Sequence, residues 1–132
     1  MRIAFAGTPE SAVAPLQALL HSHHDIAFVV TRPDAPTGRG RVLTPSPVAT
    51  FASENELQVF KPEKISEIAE KFNDVDAVIV IAYGAMIPEA LLTTPKHGFI
   101  NLHFSLLPTS RCTTVCVTQR CSVLEVPRRW CS

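Results

Sequence analysis

The run Ala77-Val78-Ile79-Val80-Ile81-Ala82 constrains this chain more than any other segment. Val and Ile fill its four central positions, and their restricted χ1 rotation favours extended backbone. An apolar strand with no polar alternation cannot leave one face in water. It needs cover on both faces, as in a parallel sheet flanked by helices, and the run is expected to be a central strand. The same logic applies to Ile26 to Thr31, where Ile26, Ala27, Phe28, Val29 and Val30 are continuous and Pro33 stops the run. Arg2 to Ala6 reads as a buried first strand ending in the turn Gly7-Thr8-Pro9. In that turn Thr8 is expected to cap the following helix and Pro9 to preset its first position.

Between these strands the apolar spacing changes from continuous to helical. Val13, Leu16, Leu19 and Leu20 share one face of a helix expected over Ala12 to Leu20, with Pro15 tolerable only near its first turn. From Pro33 to Pro47 the chain holds Pro33, Pro36, Gly38, Gly40, Pro45 and Pro47, a composition that predicts a long loop. A helix over Val48 to Glu56, a short strand at Gln58 to Phe60 and helical spacing in Ile65, Ile68, Ala69 and Phe72 follow. Pro88 is expected to open a short helix through Leu92, and Gly98 to Leu102 a further strand. Four or five strands interleaved with helices define an α/β fold, an open and mostly parallel sheet with flanking helices and Rossmann-type topology. In such sheets ligands bind beyond the carboxyl ends of the strands.

Charge and cysteine content divide the chain of 132 residues in two. Twelve basic residues balance twelve acidic ones, so no global field draws the chain to nucleic acid or an anionic membrane. The balance hides an asymmetry. Residues 109 to 132 contain Arg111, Arg120, Arg128 and Arg129 against Glu125 alone, and all four cysteines, Cys112, Cys116, Cys121 and Cys131. The preceding residues hold eight basic and eleven acidic side chains and no cysteine. The cysteine gaps fit no standard Cys-x-x-Cys pairing, and no metal is expected. No apolar run approaches the ~18 residues needed to span a bilayer, and the first strand begins at Arg2 without a separate signal segment, so a cytoplasmic protein is expected.

Several polar groups fall at the expected ligand edge. Asn101 and His103 lie two apart at a strand end and share a face. An amide donor beside an imidazole suits an acyl or formyl transfer, in which an oxyanion develops and a proton must move. Structural pairing with nearby backbone is the competing reading. The Gly7 turn lacks the three glycines of a dinucleotide fingerprint. Gly38-Arg39-Gly40-Arg41 is flexible and basic, suited to a phosphate backbone, although arginines are also common on solvated loops. Tyr83 could stack on a flat heterocycle or close the core. His21, His23 and His24 read as exposed residues around a helix end, and His97 as a loop residue.

The motifs Arg2 to Glu10 (Arg-Ile-Ala-Phe-Ala-Gly-Thr-Pro-Glu), Ala82-Tyr83-Gly84 with Ile87-Pro88, and Asn101-Leu102-His103-Phe104-Ser105-Leu106-Leu107-Pro108 together resemble the methionyl-tRNA formyltransferases in order and interval. The last block is shared by folate-dependent formyltransferases in general. Ala-Gly-Thr-Pro-Glu, with Arg32-Pro33-Asp34 and the Gly38 to Arg41 loop, narrows the resemblance to the tRNA enzymes. It implies a partial formyltransferase catalytic domain over residues 1–108. It further implies a formyl group moved from 10-formyltetrahydrofolate to the α-amine of methionyl initiator tRNA, with Asn101 and His103 matching the first two members of a catalytic Asn, His and Asp set. Tyr83, Gly84, Ile87 and Pro88 resemble a wall of the folate pocket. Arg39 and Arg41 resemble a loop that approaches the tRNA acceptor end. Gly7, Thr8 and Pro9 with Ser105, Leu106, Leu107 and Pro108 would form the substrate-side loops.

Three departures accompany the resemblance. Ser11 replaces a typical aromatic, and Phe104 a typical small residue. Beyond Pro108 an Arg-Trp-Arg-Gly-rich segment is replaced by Thr109-Ser110-Arg111-Cys112, and no counterpart of the catalytic Asp follows. Residues 109–132 are therefore expected to be an unmatched tail, frame-changed or poorly ordered, and transfer by this truncated chain to be impaired or absent. The alternatives are a non-catalytic fragment that binds folate or tRNA, another folate-dependent formyltransferase acting on a nucleotide sugar or purine precursor, and a cysteine-tailed zinc module.

Overall fold

The computed structural model describes residues 1–102. Expectations for His103, Ser105, Leu106, Leu107, Pro108 and the 109–132 segment lie outside the described residues. Strands β1 (Arg2–Gly7), β2 (Asp25–Val30), β5 (Val59–Phe60), β6 (Ala77–Ile81) and β7 (Phe99–Asn101) form a five-stranded sheet in the order β5-β2-β1-β6-β7. Every pairing in it is parallel. Helices α1 (Val13–Leu20), α2 (Pro47–Glu54) and α3 (Glu89–Leu92) and a 3₁₀ run over Ile65–Asp74 complete the frame.

Side-chain alternation explains why the sheet is covered twice. On one face Ala4, Ala6, Phe28, Val30, Val78 and Val80 meet Ile65, Phe72, Leu91 and Leu92 from the 3₁₀ run and α3. On the other, Phe5, Val29 and Ile81 meet Leu16 of α1 and Val48 and Ala52 of α2. Residues two apart in a strand point the same way, so a continuous apolar run feeds both layers at once. Phe28, Phe72 and Phe99 add ring contacts at centroid distances of 5.4 to 5.6 Å on the first face. The α/β architecture with a parallel sheet follows the expectation. The Ala77 run forms β6, an interior strand paired with β1 on one side and β7 on the other, as expected; β1 lies at the middle of the five.

Two local expectations are corrected. The segment expected as a loop over Pro33 to Pro47 contains an antiparallel hairpin of β3 (Ala35–Thr37) and β4 (Val42–Thr44). Gly38 at φ 70° and Arg41 at φ 49° bracket its turn, and Thr37 Oγ1 and Thr44 Oγ1 lie 2.6 Å apart across it. Pro36 is tolerated because a two-stranded ribbon has only edge strands. The helical spacing of Ile65 to Phe72 forms a 3₁₀ run bent at Ile68, where φ is −113° and ψ is 21°, so it is no continuous α-helix. Its apolar face is still buried, as Ile65 and Phe72 show.

Gly7 closes β1 under tight steric terms. A Cβ placed there would lie 2.9 Å from the Ile81 carbonyl oxygen, 2.8 Å from the Phe5 ring and 3.0 Å from Ala12 Cβ. Backbone on the neighbouring strand cannot retreat as a flexible side chain would, so this position requires glycine by close approach. It holds the ends of β1 and β6 together.

Candidate functional site

Parallel pairing brings the carboxyl ends of four strands to one edge: Gly7-Thr8 after β1, Thr31-Arg32 after β2, Ala82-Tyr83 after β6 and Asn101 ending β7. Val80 and Asn101 are register partners, and the Leu102 amide donates to the Val80 carbonyl at 2.9 Å. Asn101 is partly buried. Thr8 does not cap the helix that follows it. The turn Glu10–Ala12 has Pro9 as its capping residue and no side-chain capping bond. The Thr8 hydroxyl instead donates to the Tyr83 carbonyl at 2.8 Å and accepts from the Arg32 amide at 3.4 Å. Proline at the cap, with extended backbone at ψ 170°, leaves Thr8 beside its neighbouring strands.

Tyr83 closes the core. Its residue exposure is 2% and it packs within the first apolar layer. Its hydroxyl has no hydrogen-bond partner among the described residues. Burial raises the phenol above its ordinary pKa of 10.0; the Arg32 charge opposes this and Glu67 adds to it. Between the left-handed Ala82 (φ 47°) and Gly84 (φ 82°), the backbone turns sharply out of the sheet. Gly84 is needed there because glycine adopts that conformation without steric cost. From this turn the chain runs through half-buried Ile87, which packs on the core, to Pro88 at the start of α3.

A cavity of about 380 Å³ lies beside that segment, lined by Glu63, Lys64, Ile65, Ser66, Ala85, Met86 and Pro88. Of the expected wall residues only Pro88 lines it. Ala85 and Met86 lie within the expected span, but Glu63 to Ser66 come from the distant start of the 3₁₀ run and carry no motif that marks them. Arg32 is a further residue of this edge, its Nη1 donating to the Glu63 carbonyl at 3.3 Å. Its walls combine apolar Ile65, Ala85, Met86 and Pro88 with polar Glu63, Lys64 and Ser66.

Arg39 and Arg41 occupy the tip of the β3–β4 ribbon and are exposed. They are thus held apart from the packed layers, on an element that adds no buried residue to them. His21 caps α1 and its Nδ1 lies 2.9 Å from the Gln17 carbonyl oxygen. His24 is partly buried, and its pKa lies below the ordinary 6.5 through desolvation first, then the charges of His23 and the amino terminus. Among the described residues there is no group of three or more His, Cys, Asp or Glu side chains able to hold a metal ion, and no helix is long and apolar enough to cross a membrane.

Comparison with known proteins matches this chain to a family. The formyl transferase family model matches residues 1–117, nine residues beyond the boundary expected at 108. The chain is 51% identical over 120 residues to the methionyl-tRNA formyltransferase of Corynebacterium aurimucosum, covering 84% of this chain and 36% of that protein. It is likewise 51% identical over 114 residues to that of Arthrobacter sp., covering 84% and 37%. The chain therefore spans just over a third of the length of these relatives. In fold it is similar to crystal structures of phosphoribosylglycinamide formyltransferase from Bacillus Halodurans (TM-score 0.60, 17% identity, 83% of this chain and 59% of that one) and Anaplasma phagocytophilum (0.61, 22%, 83% and 52%). Parallel sheet, shared strand-end edge and sequence similarity over most of its length agree, and the chain belongs to the formyl transferase family.

Proposed function

We propose that these residues form the donor-side part of an enzyme that moves a formyl group from 10-formyltetrahydrofolate to the α-amine of methionyl initiator tRNA. The observation that carries this reading is the half-identity to methionyl-tRNA formyltransferases over 84% of the chain. The cavity beside Ala85, Met86 and Pro88 supports a folate-type donor, since apolar walls joined by Glu63, Lys64 and Ser66 can take a heterocycle bearing polar groups. The exposed arginines on the β3–β4 ribbon support a tRNA partner, because guanidinium pairs well with phosphate. The same resemblance supports a cytoplasmic location.

In the proposed reaction the neutral amine of the acceptor attacks the formyl carbon. A new N–C bond forms, the bond from the formyl carbon to the donor nitrogen breaks, and the proton lost by the amine is returned to that nitrogen. The Asn101 amide donates to the developing oxyanion. His103, by the resemblance, assists there and carries the proton. A polypeptide of these 132 residues alone is expected to turn over slowly or not at all, because it offers no match for the Asp that the resemblance calls for.

Two measurements test the reading. Titration of the chain with 5-formyltetrahydrofolate is expected to give saturable heat, and none at millimolar ligand would remove the donor assignment. A chimera carrying residues 1–117 in place of the corresponding part of the Corynebacterium aurimucosum enzyme is expected to formylate methionyl initiator tRNA. In that chimera Asn101→Ala should lower kcat about 100- to 1,000-fold. An unchanged kcat would dismiss Asn101 as the oxyanion donor.

A further inference from the structure

Thr8 is the point where four elements meet. Its hydroxyl bonds the Tyr83 carbonyl at the end of β6 and receives the Arg32 amide at the end of β2, at 2.8 and 3.4 Å. Its carbonyl receives the Val48 amide in the first turn of α2 at 3.4 Å. Gly7, immediately before it, leaves no slack against Ile81. Apart from its hydroxyl, Thr8 is thus held by the Val48 amide and by the close approach at Gly7.

What that hydroxyl holds is a backbone with its own reasons to relax. Ala82 keeps a left-handed φ of 47° against the preference of an L-residue, and Gly84, at 82°, has no side chain to hold its backbone there. Tyr83 sits between them with a buried ring whose hydroxyl has no partner among the described residues, so that side chain provides packing rather than a polar tether there. We propose that Thr8 is a positioning residue: its hydroxyl pins the Tyr83 carbonyl and thereby sets the direction in which Gly84 to Pro88 leaves the sheet to wall the donor cavity. The role of the wall rests on the reading given under Proposed function. The pinning itself does not.

The test compares the full chain with Thr8→Val, which keeps the shape and removes the hydroxyl, and Thr8→Ser, which keeps the hydroxyl. Amide hydrogen exchange is read at Gly84 to Ile87 and at the core residues Phe5, Val29 and Val80, alongside titration with 5-formyltetrahydrofolate. Thr8→Val is expected to speed exchange at Gly84 to Ile87 by at least about 5-fold with the core amides unchanged, and to weaken folate binding about 5- to 20-fold. Thr8→Ser should stay within about 2-fold of the parent in both. Unchanged exchange at Gly84 to Ile87 in Thr8→Val overturns the proposal. So does a matching acceleration at the core amides, or global unfolding, which would make the role one of bulk stability; and so does failure of Thr8→Ser to retain the parent behaviour. If the parent chain gives no folate heat, the donor reading falls while the exchange comparison still decides the pinning.

Discussion

The strand-end edge and the β3–β4 ribbon are built on opposite terms. At the edge, Gly7, Thr8 and Tyr83 are enclosed by neighbouring strands, and each backbone position is set by close approach or a hydrogen bond. The ribbon buries none of its six strand residues, and Val42 and Leu43 stay about two-thirds exposed. One region therefore resists change through packing. The other is free to change because little depends on its contacts. A site that must hold reacting atoms to within an ångström needs the first kind of support, whereas an arm that meets a large, irregular polyanion needs reach and charge.

Three variants sharpen that contrast, in descending order of expected effect on stability. Gly7→Ala should lower the unfolding free energy by about 1–3 kcal/mol, since its methyl meets the Ile81 carbonyl oxygen. Urea unfolding followed by circular dichroism measures this, and a loss below about 0.5 kcal/mol would show that the edge yields more than its geometry implies.

Tyr83→Phe should leave stability at neutral pH unchanged or raise it by up to ~1 kcal/mol, because it deletes a buried hydroxyl that has no partner among the described residues. Its pH dependence has a definite sign. Burial raises the folded-state pKa, so above about pH 10 the unfolded chain releases the phenolic proton while the folded chain retains it. That contribution is whole below the unfolded pKa and is lost as pH rises through the folded value. Since the chain has a single tyrosine, the parent should lose stability more steeply than Tyr83→Phe as pH rises above about 10, and equal slopes would contradict burial of a neutral phenol.

The double change Arg39→Ala with Arg41→Ala should move stability least, by under about 0.5 kcal/mol, as expected of exposed sites. Filter binding of initiator tRNA at low salt should nevertheless weaken and lose part of its salt dependence. Intact tRNA affinity would detach the ribbon from the proposed partner.

Much of the frame was legible because burial leaves a one-dimensional trace. Continuous apolar runs at Ile26 and Ala77 marked strands with two covered faces, and Pro88 marked the start of α3. The ribbon was not legible, because its strands bury nothing and so carry no alternation, while Pro36, Gly38 and Gly40 read as loop. The 3₁₀ run misled for a related reason: i and i+3 spacing is common to both helix types, and the bend at Ile68 leaves no mark in composition. At the site, Tyr83 and Asn101 were found at strand ends by position alone. Thr8 was identified as a turn residue, but its hydroxyl partner lies 75 residues away and only the parallel pairing of β1 with β6 reveals it. Glu63 to Ser66 joined the cavity by the same route.

The position of β1 also sets a timetable for the nascent chain. The innermost strand is made before the other four, yet the flank supplied by β6 starts with contacts such as Arg2 to Asp76, 74 residues later. At roughly 5–20 residues per second the ribosome needs about 4–15 s to deliver that flank. For that interval one side of the earliest strand lacks its eventual neighbour, which makes speed of elongation, as well as the finished contacts, a determinant of how much protein reaches the native state.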